Sequence, residues 1–90
     1  MTYRLVIVSA AERDLARLDP PVARRIRAEL LVLAAATDPW RHLKRLKGAR
    51  SPPFFSLRVG DYRVILQVLD DLLVIVVVEV GHRSTVYRDV

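Results

Sequence analysis

Leu57-Arg58-Val59-Gly60-Asp61-Tyr62-Arg63-Val64-Ile65-Leu66-Gln67-Val68 places one arginine on each side of a Gly-Asp pair within an otherwise apolar run. The flanking residues are β-branched or aromatic, and a two-residue loop with glycine first predicts a type II′ hairpin. Such a loop sets the register: Val59 faces Tyr62 and Arg58 faces Arg63. Their Cβ atoms then lie about 5 Å apart, a spacing at which like charges destabilise the pair. Leu57, Val59, Tyr62, Val64, Leu66 and Val68 point to the opposite, apolar face, which is the one expected to meet helices. Asp70-Asp71 reads as a second two-residue loop before Leu72–Val80. In that register Leu69 faces Leu72 and Arg63 faces Val78. The arginine face then carries Val78 and Val80, with His82 following.

Upstream, Tyr3 to Val8 reads as a short buried strand. Ser9-Ala10-Ala11-Glu12 has the form of a capping box, and the helix it opens runs through Leu18 with Ala11, Leu15 and Leu18 inward. Asp19-Pro20 restarts a second helix, with Asp19 at the N-cap and proline in the first turn. Val22, Ile26, Leu30 and Leu33 recur on one face of it, and Arg24, Arg25 and Arg27 lie mostly away from that face. Asp38-Pro39 closes it. The stretch from Trp40 to Pro53 is basic and loop-like, with a brief strand expected within Leu43 to Leu46. Strands at Phe54–Val59, Tyr62–Leu69 and Leu72–Val80 complete the order β-α-α-β-β-β(-β). The fold class is α+β: one domain over residues 1–90, with a mostly antiparallel sheet and a two-helix hairpin packed on one face.

Ninety residues suffice for one modest core. An apolar fraction of 52% argues for a folded chain rather than a disordered one. The absence of cysteine removes disulfides and thiolate metal sites, and it suits a reducing cytoplasm. Thr2-Tyr3-Arg4 leads straight into the first strand, so no signal peptide is expected. The longest apolar run, Leu72 to Val78, falls far short of the roughly 20 residues that cross a bilayer. Fifteen Lys+Arg against ten Asp+Glu give a net charge of +5, and thirteen of the fifteen are arginine. Arginine suits bidentate phosphate contacts, so a polyanionic partner is expected, either nucleic acid or an acidic protein.

The hairpin register brings Arg58 and Arg63 to one end of the sheet, and His82, Arg83, Tyr87 and Arg88 follow the last strand at that same end. The basic loop, with Lys44, Arg45, Lys47 and Arg50, leads into the first strand of the hairpin. Arginines with histidine and tyrosine, without a local excess of carboxylates, suit a phosphate-bearing ligand. Histidine is the side chain that ordinarily titrates near neutrality, which makes His82 the first candidate for proton transfer.

Leu57 to Ile65, the Val/Ile strand after it, Gly81-His82-Arg83, Val86-Tyr87-Arg88 and the upstream Leu46-Lys47-Gly48 together resemble the RelE/ParE superfamily of toxins from type II toxin–antitoxin systems, and its RelE branch in particular. The resemblance covers nearly the whole chain. It implies a ribosome-dependent mRNA endoribonuclease that inhibits translation, cleaving without metal or cofactor by attack of the 2′-OH on the adjacent phosphate. By position, Arg63 resembles the arginine that stabilises the phosphate's developing charge, and Arg83 the arginine near the leaving 5′-oxygen. Tyr87 resembles the tyrosine that stacks on or orients the nucleotide, and Lys47 stands where the family often carries a basic residue. The best-studied members have lysines where this chain reads Phe54 and Ser56. Phe54 offers a surface for stacking a base but accepts no proton, so either His82 or Lys47 takes the 2′ proton or the catalysis is weak or differently organised. The implied partners are the ribosome, mRNA and a cognate antitoxin with an acidic, partly disordered segment, giving a toxin–antitoxin hetero-oligomer. A ParE-like DNA gyrase poison and a non-catalytic antitoxin-binding module are the alternatives on the same fold.

Overall fold

In a computed structural model describing residues 2–48 and 51–84, the chain forms strands β1 (Arg4–Ile7), β2 (Lys44–Arg45), β3 (Phe55–Val59), β4 (Tyr62–Leu69) and β5 (Val74–His82), and helices α1 (Ser9–Ala16) and α2 (Pro20–Ala35). The strands make one sheet in the order β1-β5-β4-β3-β2. Only the β1–β5 pair is parallel.

Both helices lie on one face. Ala11 and Leu15, four residues apart, face inward from α1, while Ile26, Leu30, Leu33 and Ala34 do so from α2. They pack against Leu57, Val59, Val64, Leu66, Ile75, Val77 and Val80 of the sheet. Truncating a fully buried Leu or Ile here to alanine costs about 2–5 kcal/mol, through lost transfer energy and the cavity left behind. The end of α2 is tied to the sheet, because Tyr3 N–H donates to the carbonyl of Ala34 (2.7 Å) and so satisfies one of the helix's orphan acceptors.

The expected capping box does not form. Ser9 is already helical, Val8 occupies the N-cap position, and the Glu12 carboxylate accepts a hydrogen bond from Arg27 of α2 at 2.6 Å instead. That bond holds the Glu12 carboxyl below the usual carboxylate range. Asp19 stands at the N-cap of α2 as expected, but it caps through its carbonyl, which accepts from Ala23 N–H (3.0 Å), and not through its side chain.

The first hairpin has the expected register: Arg58 pairs with Arg63 and Val59 with Tyr62. Gly60 has φ +59°, and Asp61 keeps a negative φ, as a type II′ turn requires. The second hairpin differs by three residues. Asp70–Leu72 form a 3-10 turn and Leu73 takes the left-handed conformation (φ 53°), so Leu69 pairs with Val74, not Leu72. Asp70-Asp71 lacks the glycine that a two-residue type I′ loop favours at its second position, and the chain takes a longer route. The third residue comes from a β-bulge: Ile65 pairs with Glu79 and Leu66 with Val77, leaving Val78 as the extra residue. Arg63 therefore faces Gly81 rather than Val78. Val80 pairs with Val64 on the helix side, 5% exposed, and not on the arginine face.

Beyond Ile7, β5 has no strand on its β1 side among the described residues, and the N–H of Val80 points there. Asp14 of α1 accepts it at 3.0 Å through Oδ2, docking the helix on the strand. No helix among the described residues is long and apolar enough to cross a membrane.

Candidate functional site

Directly paired residues share a face, so the register fixes what stands on the side away from the helices. One row across the sheet reads Lys44, Ser56, Ile65, Glu79, and the next reads Arg58, Arg63, Gly81. Ser56 and Ile65 are only 6% and 1% exposed, although neither α1 nor α2 lies on this side. Gln67, further along the same face, donates from Nε2 to the carbonyl of Pro52 (2.9 Å), which draws the segment before β3 over this side. Beside that cover the face stays open at the arginine row among the described residues.

Arg58 is exposed and Arg63 half-buried. Arg58 Nε donates to the carbonyl of Gly60 (3.1 Å), which holds its guanidinium near the hairpin turn. Among the described residues neither arginine forms an ion pair, while Arg17 and Arg27 elsewhere do. A hollow of about 410 Å³ opens over the pair, lined by Arg41, His42, Leu43, Lys44, Ser56, Arg58 and Arg63. A second of about 270 Å³ adjoins it through Lys44 and Arg63 and extends along Arg45, Leu46 and Lys47. Together they make a basic trough across β2, β3 and β4. Glycine at position 81 places no side chain next to Arg63 on its β5 side. Such a trough binds an anion by charge-assisted hydrogen bonds and stabilises charge that grows on phosphate oxygens.

The expected site residues divide into three groups. Arg63, Arg58, Lys44, Arg45, Lys47 and Ser56 come together in the trough. Arg83 follows β5, and its N–H donates to the carbonyl of Asp61 (2.9 Å), which brings its backbone to the tip of the arginine hairpin. Phe54, half-buried, enters the sheet ahead of β3, with its carbonyl accepting from Leu46 N–H (2.9 Å). His82 does not join the arginine row. The bulge turns it to pair with Tyr62, whose ring it meets edge-on at 5.8 Å. Its Nδ1 lies 2.9 Å from Ser84 Oγ and accepts from Ser84 N–H (3.3 Å). Arg50, Tyr87 and Arg88 lie outside the described residues.

Two lining residues were not singled out from the sequence. Arg41 and His42 sit on a 3-10 turn (Pro39–His42), where they look like part of a solvated basic loop. The turn is seated by Pro39, whose side chain is fully buried, and by Trp40, whose ring meets Tyr3 edge-on at 6.3 Å. The available signal was the proline start three residues before a histidine, close to Lys44. Among the described residues no three His, Cys, Asp or Glu side chains stand together as a metal site.

Residues 5–87 match the family model described as ParE toxin of type II toxin-antitoxin system, parDE. The chain is 30% identical to Toxin RelG of Mycobacterium tuberculosis over 88 residues, covering 98% of this chain and 99% of that protein. It superposes with a TM-score of 0.80 on the RelBE2 toxin–antitoxin complex from Mycobacterium tuberculosis, at 28% identity over 93% of this chain and 94% of that one. For the archaeal RelE–RelB complex from Pyrococcus horikoshii the TM-score is 0.76, at 27% identity over 94% of this chain and 99% of that one. The family match over residues 5–87, the relative at 30% identity and the shared fold agree: this chain belongs to the RelE/ParE superfamily of toxins of type II toxin–antitoxin systems.

Proposed function

We propose that the chain is a ribosome-dependent mRNA endoribonuclease, held in check by a cognate antitoxin. The observation that carries this reading is the arginine row, Arg58 and Arg63, which forms no ion pair among the described residues and lies at the floor of the basic trough. Two like charges set side by side weaken the fold slightly, and a phosphodiester bound over them removes that cost. In the reaction, Arg63 binds the scissile phosphate and takes up the charge that develops on its oxygens. Arg83, near the hairpin tip, serves the leaving 5′-oxygen. Lys44, Arg45 and Lys47 follow the RNA backbone, a role that carries no sequence preference. Tyr87 and Arg88 are assigned to the nucleotide by position in the family alone. The relatives solved as complexes with RelB support an antitoxin as the partner of this chain.

Primer extension on translated mRNA after induced expression tests the reading. Wild type is expected to give cuts at fixed positions within codons, and the Arg63→Ala/Arg83→Ala double variant none. The ParE description of the matched family favours a second reading, a DNA gyrase poison. Uncut mRNA together with gyrase trapped on cleaved DNA is the result that would replace the first reading by the second. Co-expression with the antitoxin should abolish cutting, and cutting by a stable complex would remove the proposed partner's role.

A further inference from the structure

The chain has two histidines, and the fold treats them oppositely. The bulge takes His82 to the Tyr62 side, where Nδ1 is engaged with Ser84. His42 lines the hollow that holds Ser56, Arg58 and Arg63. We propose that His42 is the residue that removes the 2′ proton from the RNA. This rests on the endoribonuclease reading above and names the group that the reading leaves open.

Three observations carry it. First, among the described residues the trough has no other side chain that ordinarily exchanges a proton near neutrality: the remaining polar lining they give it is arginine, lysine and a serine. Second, His42 is exposed, so the imidazole meets a ligand without a rearrangement of the core. Third, its backbone is held. The turn carrying it is anchored by buried Pro39 and by the Trp40–Tyr3 ring contact, and closed by Arg41 N–H to the carbonyl of Asp38 (3.3 Å) and Leu43 N–H to that of Trp40 (3.1 Å). A base on a seated turn keeps its geometry to the phosphate-binding arginines, which is what general-base catalysis requires. The charged groups facing the imidazole are Glu29 of α2, Arg58 of β3, Arg63 of β4, and Arg41 and Lys44 on its own segment.

The step balances without a co-reactant. The neutral imidazole takes the proton of the 2′-OH, and the 2′-oxygen bonds to phosphorus. The P–O5′ bond breaks, the 5′-oxygen takes a proton from water, and the imidazolium returns its proton to solvent. The products are a 2′,3′-cyclic phosphate and a 5′-hydroxyl.

Single-turnover cleavage of mRNA on purified ribosomes, followed from acid to mildly alkaline pH, is the test. Wild type should lose rate on acidification below neutrality. His42→Gln should cut about 100-fold more slowly with that acid limb gone, while its affinity for the programmed ribosome stays within a few-fold of wild type. His82→Gln and Lys44→Gln should both keep the limb. If His42→Gln cuts at the wild-type rate with the limb intact, or if either other variant removes the limb, the assignment of His42 is wrong and the endoribonuclease reading stands. If wild type cuts nothing on the ribosome, the endoribonuclease reading falls and this assignment with it.

Discussion

The arginine row predicts a measurable repulsion. Arg58 and Arg63 are direct cross-strand partners with no ion pair among the described residues. Their Cβ atoms are about 5 Å apart. With the charged heads at about 7 Å, two unit charges in water repel by about 0.6 kcal/mol. The half-burial of Arg63 lowers the local dielectric and moves this toward about 1 kcal/mol, the upper end for such pairs. Single substitutions do not isolate it, because Arg58→Gln also loses the hydrogen bond to Gly60 and Arg63→Gln loses packing along its stem. A double-mutant cycle of the two does. Urea denaturation should give a coupling of about 0.5–1 kcal/mol in roughly 10 mM salt, wild type being less stable than the two single variants and the double variant together imply. In 1 M salt, where the screening length is about 3 Å, the coupling should fall to about a tenth of that. A coupling of zero or of opposite sign at low salt, or one unchanged in 1 M salt, would refute both the repulsion and the inference that the row awaits an anion.

Three further expectations concern the scaffold. Asp14→Ala leaves the partly buried N–H of Val80 without this acceptor and should cost about 1 kcal/mol in a urea melt, whereas Asp14→Asn, which keeps a carbonyl oxygen, should recover most of it. The hydrogen bond from Tyr3 to Asp70 Oδ1 (2.6 Å), with burial, raises the phenol from 10.0 to about 12. The folded state thus holds a proton that the unfolded chain has released, so this contribution is complete below pH 10 and is lost as pH rises toward 12. Urea midpoints of wild type and Tyr3→Phe across that window should converge, and parallel curves would exclude the linkage. Gly60→Ala forces a Cβ into the left-handed region, 3.3 Å from the Arg25 guanidinium tip, and should cost about 1–2 kcal/mol, read as a lower melting temperature.

What could be read from the chain followed the range of the interactions. The hairpin 57–68 was legible because Gly60 and the alternation around it settle the register within twelve residues. The helix faces were legible because Ile26, Leu30 and Leu33 repeat at helical spacing. The capping box at Ser9 was not, because Arg27, fifteen residues on, claims the Glu12 side chain. His42 was missed for the same reason. Nothing within a few residues of it says that Pro39 is buried or that Trp40 meets Tyr3, so a seated turn reads as a solvated loop.

The bulge at Val78 had the largest consequence, and the sequence does carry a trace of it. In β5 the helix-facing residues are Ile75, Val77 and Val80, a spacing of two and then three. An unbroken period of two would have sent position 79 inward after 75 and 77. Position 79 is glutamate, whose carboxylate in the apolar core would cost several kcal/mol without a partner. One extra residue avoids that cost, keeping Glu79 out and Val80 in. The same residue moves Gly81 beside Arg63 and takes His82 away from it. A run of valines conceals the change of phase, because each of them is acceptable on either face, and only the charged residue fixes which phase is allowed. Keeping a carboxylate out of the core thereby takes His82 off the face that carries the arginine row.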